Sequence, residues 1–374
     1  MTAYVPPPAA PWATISPREA GLDENRLAEA ASFAQANESP WPRSMYLDDG
    51  RYVGTADMGE TPPDDAVLGH VEERGGSAGL VLRGGRIAGQ WGDTARPDMT
   101  FSVAKSYLAL LAGIAVDCGL IASIDDPVRL AAPDPSFDAD QNRSITWRHL
   151  LQQTSEWEGT LFEKADRIDR NRHVGPGTGA KPKGSHRDLQ APGTHWEYND
   201  VRVNRLALSL LQVFRRPLPD VLREAVMEPI GASSTWVWRG YRNAIVDIDG
   251  KPMESVSGGA HWGGGMVISA QDHARVGLLV QRGGDWGGRQ VISRAWMDEL
   301  AKPCTLNPVY GLLWWPNTRR GLYPSAPQSS LFALGMGTNL IWIDAALDLT
   351  VVVRWIAKDK VDGFVGRVLA SLKS

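Results

Sequence analysis

The stretch from Met99 to Tyr107 holds two residues whose types and spacing suit covalent catalysis. Ser102 and Lys105 are three positions apart in a segment that we predict to begin a helix. Residues i and i+3 of a helix share a face, so the serine hydroxyl and the lysine amine can point into one cavity. A serine hydroxyl is a weak nucleophile at neutral pH, and a desolvated lysine can act as its base. The pair therefore predicts acyl transfer, against the alternative of a helix-capping serine followed by a solvated lysine.

The residues that follow this pair support the catalytic interpretation. Residues 106–116 are apolar almost all round, which is typical of a buried helix. Burying an unpaired ammonium group is costly, so a lysine in the first turn of such a helix needs a partner or a function. The sequence thus predicts that Lys105 lies in a buried site.

Composition excludes several classes of protein. With 43% hydrophobic and 22% charged residues, the 374-residue chain is typical of a soluble globular protein. The net charge of −4, with no long basic stripe, disfavours nucleic acid as a partner, and no apolar run is long enough for a membrane span. The N-terminus shows no secretory signal, so we expect a cytoplasmic protein. Its two cysteines, Cys118 and Cys304, are expected to be reduced and in or near the core.

The order of predicted elements indicates the fold class. Strands are predicted near both ends of the chain, as a hairpin over residues 77–92 and as four strands, over residues 310–315, 331–334, 339–343 and 349–355. Between them the pattern is helical and rich in loops, and further helices are predicted over residues 16–36, 145–153, 201–214, 219–226, 270–282, 293–301 and 361–372. This order predicts an α+β fold, an antiparallel sheet flanked by helices. We expect residues 1–120 and 250–374 to form one domain, 121–249 a mostly helical inserted subdomain, and the active site to lie between them.

Other chemistries find little support in the sequence. Gly175 to Lys181 does not have the spacing of a phosphate loop, so we predict that this segment is a flexible loop. There is no H-E-x-x-H motif and no cysteine pair at metal-binding spacing, so neither a metal nor another cofactor is implied. His195 and His261 could line a cleft, but a lone histidine beside tryptophan or glycine is more often structural.

Three segments, in order, resemble the serine β-lactamase and penicillin-binding protein superfamily, especially its class C-like branch of esterases and aminohexanoate-oligomer hydrolases. The segment from Ser102 to Lys105 matches the S-x-x-K motif of that group. The segment from Tyr198 to Asp200, followed by an apolar helix, matches the Y-x-N element, and the strand pair around Gly335 takes the place of the third motif. The resemblance covers most of the chain from about residue 79, and it implies a β-lactamase/transpeptidase-like fold.

The resemblance also implies roles for individual residues. Ser102 would attack a carbonyl carbon, while Lys105 and Tyr198 would share the proton transfers. Which of the two is the base stays open, and a tyrosine here could instead be a core residue that anchors the helix start. The oxyanion would lie between the backbone N–H groups of Ser102 and Met336, with Gly335 allowing the close approach of the strand. Asp200 would lie on the carbonyl side of the substrate.

Two departures from the family pattern bear on the substrate. Asp200 stands where the family usually has asparagine, and the third motif, Ala333 to Met336, has no lysine, histidine or hydroxyl residue before its glycine. We therefore expect a small ester or linear amide as substrate, with a peptidase or weak β-lactamase as one alternative. A catalytically silent relative that binds a ligand in the same cleft is the other. The loop over residues 156–195 is expected to set the substrate, and the oligomeric state stays open.

Overall fold

The computed structural model describes residues 4–8, 11–174 and 181–373, and within these ranges helices and strands alternate along the chain. The helices are α1 (Glu24–Ala36), α2 (Val53–Ala56), α3 (Val103–Asp117), α4 (Val128–Ala131), α5 (Trp147–Leu151), α6 (Asp200–Phe214), α7 (Leu218–Leu222), α8 (Ala270–Gln281), α9 (Arg294–Leu300) and α10 (Val361–Ala370). The strands are β1 (Ala78–Arg83), β2 (Arg86–Trp91), β3 (Asp98–Met99), β4 (Thr160–Leu161), β5 (Lys164–Ala165), β6 (Val237–Ile248), β7 (Lys251–Val256), β8 (Gly265–Ile268), β9 (Asp285–Trp286), β10 (Arg289–Gln290), β11 (Trp315–Pro316), β12 (Leu331–Gly335), β13 (Asn339–Asp344) and β14 (Leu349–Arg354).

The largest sheet joins the two ends of the chain. Its six strands follow the order β11-β12-β13-β14-β1-β2, and every neighbouring pair is antiparallel. The pairing of β1 with β14, which places Val81 opposite Val351, connects strands that are far apart in sequence. Helices pack on this sheet, α8 against β13, β14 and β1, and α1 with α10 near β1 and β2. The predicted fold class, an antiparallel sheet flanked by helices, is confirmed.

A second sheet lies next to the predicted catalytic helix. It has the order β3-β8-β6-β7, and its short strand β3 ends at Met99, three residues before Ser102. The twelve-residue strand β6 was not predicted, because its alternation of buried and exposed residues is weak and the segment around it has a helical pattern. The division of the chain into two domains stays a prediction.

Several predicted elements differ from the structure at their ends. The first helix begins at Glu24 and not near Ser16, because the Asp23 side chain caps it by accepting from the Arg26 N–H. Ser16 and Glu19 form the hydrogen bonds of a capping box, but these bonds close only a turn. The helix predicted over residues 219–226 is the short α7, followed by a π-helical turn. Of the strand predicted over residues 310–315, only Trp315 lies in a strand.

The two cysteines lie in different environments. Cys304 is buried, as expected, whereas Cys118 is exposed, so its predicted place in or near the core is wrong. Cys118 follows the last residue of α3, where the helix ends and its buried face no longer continues. Residues 175–180, most of the predicted flexible loop, lie outside the described residues. Of the helices that are described, none is long and apolar enough to cross a membrane.

Candidate active site

A strained turn presents Ser102 at the start of α3. Phe101 has a φ of 50°, a left-handed conformation that is unfavourable for a bulky residue. Its ring is buried and packs edge-on against Trp41 at 5.3 Å and against Trp355 at 6.4 Å between ring centroids. Because the surrounding aromatic rings fix the Phe101 side chain, the turn keeps this strained shape and the half-buried Ser102 stands at the N-terminus of a buried helix.

Buried polar side chains hold the same turn from behind. The Thr100 hydroxyl lies 2.6 Å from Nε2 of His273, whose Nδ1 lies 2.8 Å from the Tyr107 hydroxyl. Arg354 donates to the Met99 carbonyl at 2.8 Å. Burial, with a further contribution from Arg354, holds the pKa of His273 well below its usual value, so this imidazole is neutral. These bonds fix the backbone that leads into Ser102.

Ser102 and Lys105 form the pair that their spacing predicts. Lys105 Nζ lies 2.7 Å from Ser102 Oγ, and the lysine is only 1% exposed. The same ammonium group forms an ion pair with Asp200 Oδ1 at 2.7 Å. The buried lysine therefore has both a hydroxyl acceptor and a counter-charge, as the cost of burying an ammonium group requires.

Asp200 is the centre of the charges around this pair. It is the first residue of α6, and its Oδ2 lies 3.0 Å from Arg172 and 3.2 Å from His261 Nδ1. Burial by itself raises the pKa of this carboxyl, but Arg172, Lys105 and the His261 hydrogen bond outweigh burial and hold the pKa well below its usual value. The carboxylate therefore stays ionised.

Groups of the protein itself surround the Asp200 carboxylate, and its place on the carbonyl side of the substrate stays a prediction. Both of its oxygens face cationic or imidazole groups of the protein, and the residue is 4% exposed. The cap of α6 is the preceding residue, Asn199, whose side chain accepts from the Arg202 N–H at 3.1 Å. In this structure Asp200 is a counter-ion of Lys105.

Tyr198 meets Lys105 through the face of its ring. Lys105 Nζ and Arg172 Cζ each lie 5.0 Å from the ring centroid. The ring also stacks on Trp315 at 5.9 Å and meets Tyr310 edge-on at 6.2 Å. Within the described part of the chain, no hydrogen bond joins the Tyr198 hydroxyl to Ser102 or Lys105. The structure thus brings the tyrosine beside the pair and packs its ring as a core residue would be packed.

The end of strand β12 lies directly against the start of α3. A Cβ atom added to Gly335 would lie 2.2 Å from the Thr100 carbonyl oxygen and 3.3 Å from the Ser102 nitrogen, so only glycine permits this approach. Met336 follows in the turn to β13, and its carbonyl accepts from Asn339 Nδ2 at 2.9 Å. The predicted neighbours Ser102, Gly335 and Met336 are therefore together in space.

Gly259 lies in a glycine-rich stretch, residues 258–265, and the sequence did not single it out as a site residue. A Cβ at this position would lie 2.9 Å from Lys105 Nζ and 3.4 Å from Ser102 Oγ. The first distance is too short for an ordinary contact, so any larger residue must displace the lysine amine. The absence of a side chain at Gly259 thus leaves the space in which the Ser102–Lys105 hydrogen bond forms.

We expect Gly259→Ala to lower kcat for a p-nitrophenyl ester about 10-fold, because small displacements of catalytic groups cost large factors in rate. The displaced atom is the end of a flexible side chain, so the melting temperature should change little. Gly366→Ala in α10 is the matched control, since its added Cβ would meet only Ser325, no closer than 3.4 Å. Equal kcat for both variants and the native protein would contradict this role of Gly259.

One group of side chains near the site has the composition of a metal site. Among the described residues, Glu60, Asp169 and His261 bring possible metal-binding atoms within 4.8 Å of one another. Lys183 Nζ lies 2.5 Å from Glu60 and 3.2 Å from Asp169, so a side-chain cation already contacts both carboxylates. His195, the other histidine considered, is 40% exposed and lies 4.0 Å from Glu197, apart from this group.

The residues that sequence reasoning missed belong to segments without periodic patterns. Arg172 and Asp169 lie in the long loop before Tyr198, and Glu60 follows α2 in an irregular region. All three are charged and buried in the structure. The only sequence signal was the departure from the family pattern at Asp200, which implies that a compensating cation lies nearby.

The sheet built from both chain ends, with a Ser-x-x-Lys pair at the start of a buried helix beside it, defines a β-lactamase/transpeptidase-like fold. The model of the Beta-lactamase family matches residues 64–362, so the chain belongs to this family.

Several solved structures are similar in fold to this chain. A β-lactamase from Mycobacterium bovis is 20% identical with a TM-score of 0.56, covering 80% of this chain and 95% of that one. A penicillin-binding protein homologue from Caulobacter crescentus is 17% identical with a TM-score of 0.56, and the match covers 87% of this chain and 98% of that one. A family VIII carboxylesterase is 15% identical with a TM-score of 0.56, and the match covers 86% of this chain and 98% of that one. At these identities the likeness is one of fold.

One curated relative matches a smaller part of the chain. A probable isochorismatase from Pseudomonas chlororaphis is 31% identical over 105 residues, which are 27% of this chain. The chain spans about half the length of that relative, 51%. A match of this extent assigns no activity to the chain.

Proposed function

We propose that this protein is a serine hydrolase that cleaves a small ester or linear amide through an acyl-enzyme on Ser102. The observation that carries the proposal is the 2.7 Å hydrogen bond between Lys105 Nζ and Ser102 Oγ in a site where the lysine is almost fully buried. A serine and a cation held this close, at a strained turn, have the arrangement of an activated nucleophile.

In the acylation step, Ser102 Oγ forms a bond to the carbonyl carbon, and the bond from that carbon to the ester oxygen or amide nitrogen breaks. The Ser102 proton ends on the departing alcohol or amine. The negative charge that develops on the carbonyl oxygen would be held by the backbone N–H groups of Ser102 and Met336. The close approach of Gly335 to the Ser102 nitrogen supports this pairing. Water then attacks the acyl-enzyme and releases the acid.

The charges around the site favour Tyr198 as the group that takes the Ser102 proton and passes it to the leaving group. Lys105 forms an ion pair with a carboxylate that stays ionised, which favours its ammonium form. An ammonium cannot accept a proton, so its role is to stabilise negative charge on its neighbours. The Tyr198 ring lies against this ammonium, and its hydroxyl is not engaged by Ser102 or Lys105.

The third motif supports esters and linear amides over penicillins. Ala333 and Leu334 precede Gly335 on β12, and neither has a side chain that can bind the carboxylate of a β-lactam. We expect kcat/KM for a short acyl ester to exceed that for nitrocefin by at least about 10²-fold, since a missing charged contact costs a few kcal/mol. Comparable values for the two substrates would contradict this selectivity.

Intact-mass measurement after exposure to a fluorophosphonate, and separately to benzylpenicillin, tests the proposal. We expect one adduct of the fluorophosphonate, mapped to Ser102, and none of the penicillin. A lasting penicillin adduct would favour the peptidase or weak β-lactamase alternative. If neither reagent labels the folded protein, the silent, ligand-binding alternative replaces the proposal.

A further inference from the structure

A chain of five polar side chains runs from the proposed nucleophile into the interior. Beyond Ser102 and Lys105 it continues through Asp200 to His261, whose Nδ1 lies 3.2 Å from Asp200 Oδ2. On its other side, His261 Nε2 lies 2.9 Å from Glu60 Oε1. Beyond the Ser102–Lys105 pair, each link joins residues from different segments, so this part of the chain of contacts exists only in the folded protein.

The three inner members of this chain are almost completely buried. Asp200 is 4% exposed, His261 is 1% exposed and Glu60 is 7% exposed. Glu60 Oε2 also accepts from the Trp262 indole N–H at 2.8 Å. A buried carboxylate is costly unless it is paired, so each carboxylate here depends on the imidazole and the cations around it.

Each oxygen of Asp200 has its own partners. Oδ1 faces Lys105, whereas Oδ2 faces Arg172 at 3.0 Å and His261. The contact with His261 limits rotation of the carboxylate, because turning it would pull Oδ2 away from the imidazole. Carboxylates on both sides favour the charged imidazole, and although burial opposes this, the pKa of His261 is raised above its usual value.

We propose that His261 is a positioning residue: held by Glu60, it orients Asp200 so that one carboxylate oxygen stays on Lys105 and keeps this lysine an ammonium. The inference rests on the proposed function, since it assigns the electrostatic support of the Ser102–Lys105 pair. It also gives a reason for the aspartate at position 200, which places a full negative charge between Lys105 and His261.

Other charged groups face the same carboxylate and imidazole from several segments. They contribute to the electrostatic field at His261. Each of them is unchanged in the variants below, except where it is itself the substituted residue. These groups are Glu60 after α2, Lys105 on α3, Asp169, Arg172 and Lys183 in the loop before α6, and Asp200 on α6. Among the described residues, only His261 contacts both Glu60 and Asp200, so changing it tests the link without removing either carboxylate.

A purely structural role for His261 is the competing explanation. Its ring stacks on Trp262 with centroids 4.1 Å apart and planes inclined by 15°. A residue that is kept for this packing would be replaced best by another flat ring. The test must therefore separate the ring from its two nitrogen atoms.

Three substitutions make that separation. His261→Asn keeps a polar atom near the position of Nδ1, facing Asp200, and His261→Gln keeps one near the position of Nε2, facing Glu60. His261→Phe keeps the flat ring on Trp262 and removes both polar contacts. Asp200→Asn removes the counter-charge of Lys105 directly and serves as the reference.

The readout is the pH dependence of kcat/KM for p-nitrophenyl acetate, corrected for uncatalysed hydrolysis. Loosening the Asp200 carboxylate weakens the electrostatic support of the Lys105 ammonium. We expect the alkaline limb of the profile to move to lower pH by roughly 0.5–1 unit in His261→Gln and His261→Phe, and further in Asp200→Asn, since a close opposite charge shifts a titration by about 1–3 units. His261→Asn should keep the limb closer to the native position than the other two.

The outcomes are decisive in each direction. An alkaline limb that stays in place in folded His261→Gln and His261→Phe would overturn the proposal, as would a Phe variant closer to native than the Asn variant. A gain of activity on the acid side in Asp200→Asn would mean that Lys105 works as a neutral base. If the His261 variants do not fold, Glu60→Gln, which perturbs the chain from its far end, must move the alkaline limb in the same direction. Failure of the proposed function is separate, because the native protein would then not be labelled at Ser102.

Discussion

Ser102→Ala is expected to abolish hydrolysis of a p-nitrophenyl ester, with a loss in kcat on the order of 10³-fold or more, as for removal of a covalent nucleophile. The substitution removes the atom that would form the proposed acyl-enzyme at the start of α3. It leaves the Phe101 turn and the Lys105–Asp200 ion pair in place. Steady-state kinetics and fluorophosphonate labelling, both on protein with confirmed folding, measure the effect.

Ser106→Ala is a matched control on the same helix. Ser106 is also buried, but its hydroxyl is engaged by the Leu313 carbonyl, to which it donates at 2.9 Å. Its removal should cost about 1 kcal/mol of stability through the lost hydrogen bond and leave kcat within a few-fold of native. If Ser102→Ala retains near-native turnover while it is folded, Ser102 is not the nucleophile.

Lys105 and Tyr198 are expected to act as one unit. Tyr198→Phe keeps the ring contacts with Lys105 and Trp315 and removes only the hydroxyl, so it should lower kcat on the order of 10²-fold or more, as for lost general acid–base catalysis. Lys105→Met removes the charge and keeps the length of the side chain, and we expect a loss at least as large. The double variant should be little worse than the worse single variant, because groups that share one proton-transfer step are non-additive.

Controls keep this double-mutant cycle interpretable. Tyr310→Phe removes a hydroxyl from the neighbouring ring of the same aromatic group and should leave kcat near native, since burial raises the pKa of Tyr310 well above its usual value. In Lys105→Met, Asp200 keeps Arg172 and His261 as partners, which limits the loss of stability. Losses that multiply fully in the double variant would show independent roles, and an unchanged kcat in Tyr198→Phe would leave that tyrosine with a packing role.

Local patterns determined much of the framework of this protein. The hairpin of β1 and β2, the strands β12 to β14 and the helix α3 were predicted because alternation and apolar runs are properties of neighbouring residues. The spacing of Ser102 and Lys105 on the first turn of α3 is local too, and the structure gives them the predicted contact. The start of α1 was misplaced because two capping patterns compete within a few residues, and only Asp23 is followed by a helix.

Tertiary structure alone decided the electrostatic state of the site. Lys105 is near Ser102 by sequence, but its counter-ion Asp200 is positioned by Arg172, His261 and, behind them, Glu60. These residues come from an irregular segment, a long loop and a glycine-rich stretch, none of which carries a periodic pattern that could place it. The charge on a buried lysine depends on which carboxylates lie within a few ångströms and on how well water is excluded. Both are set by how distant segments pack, so the sequence could predict the pair but not its protonation.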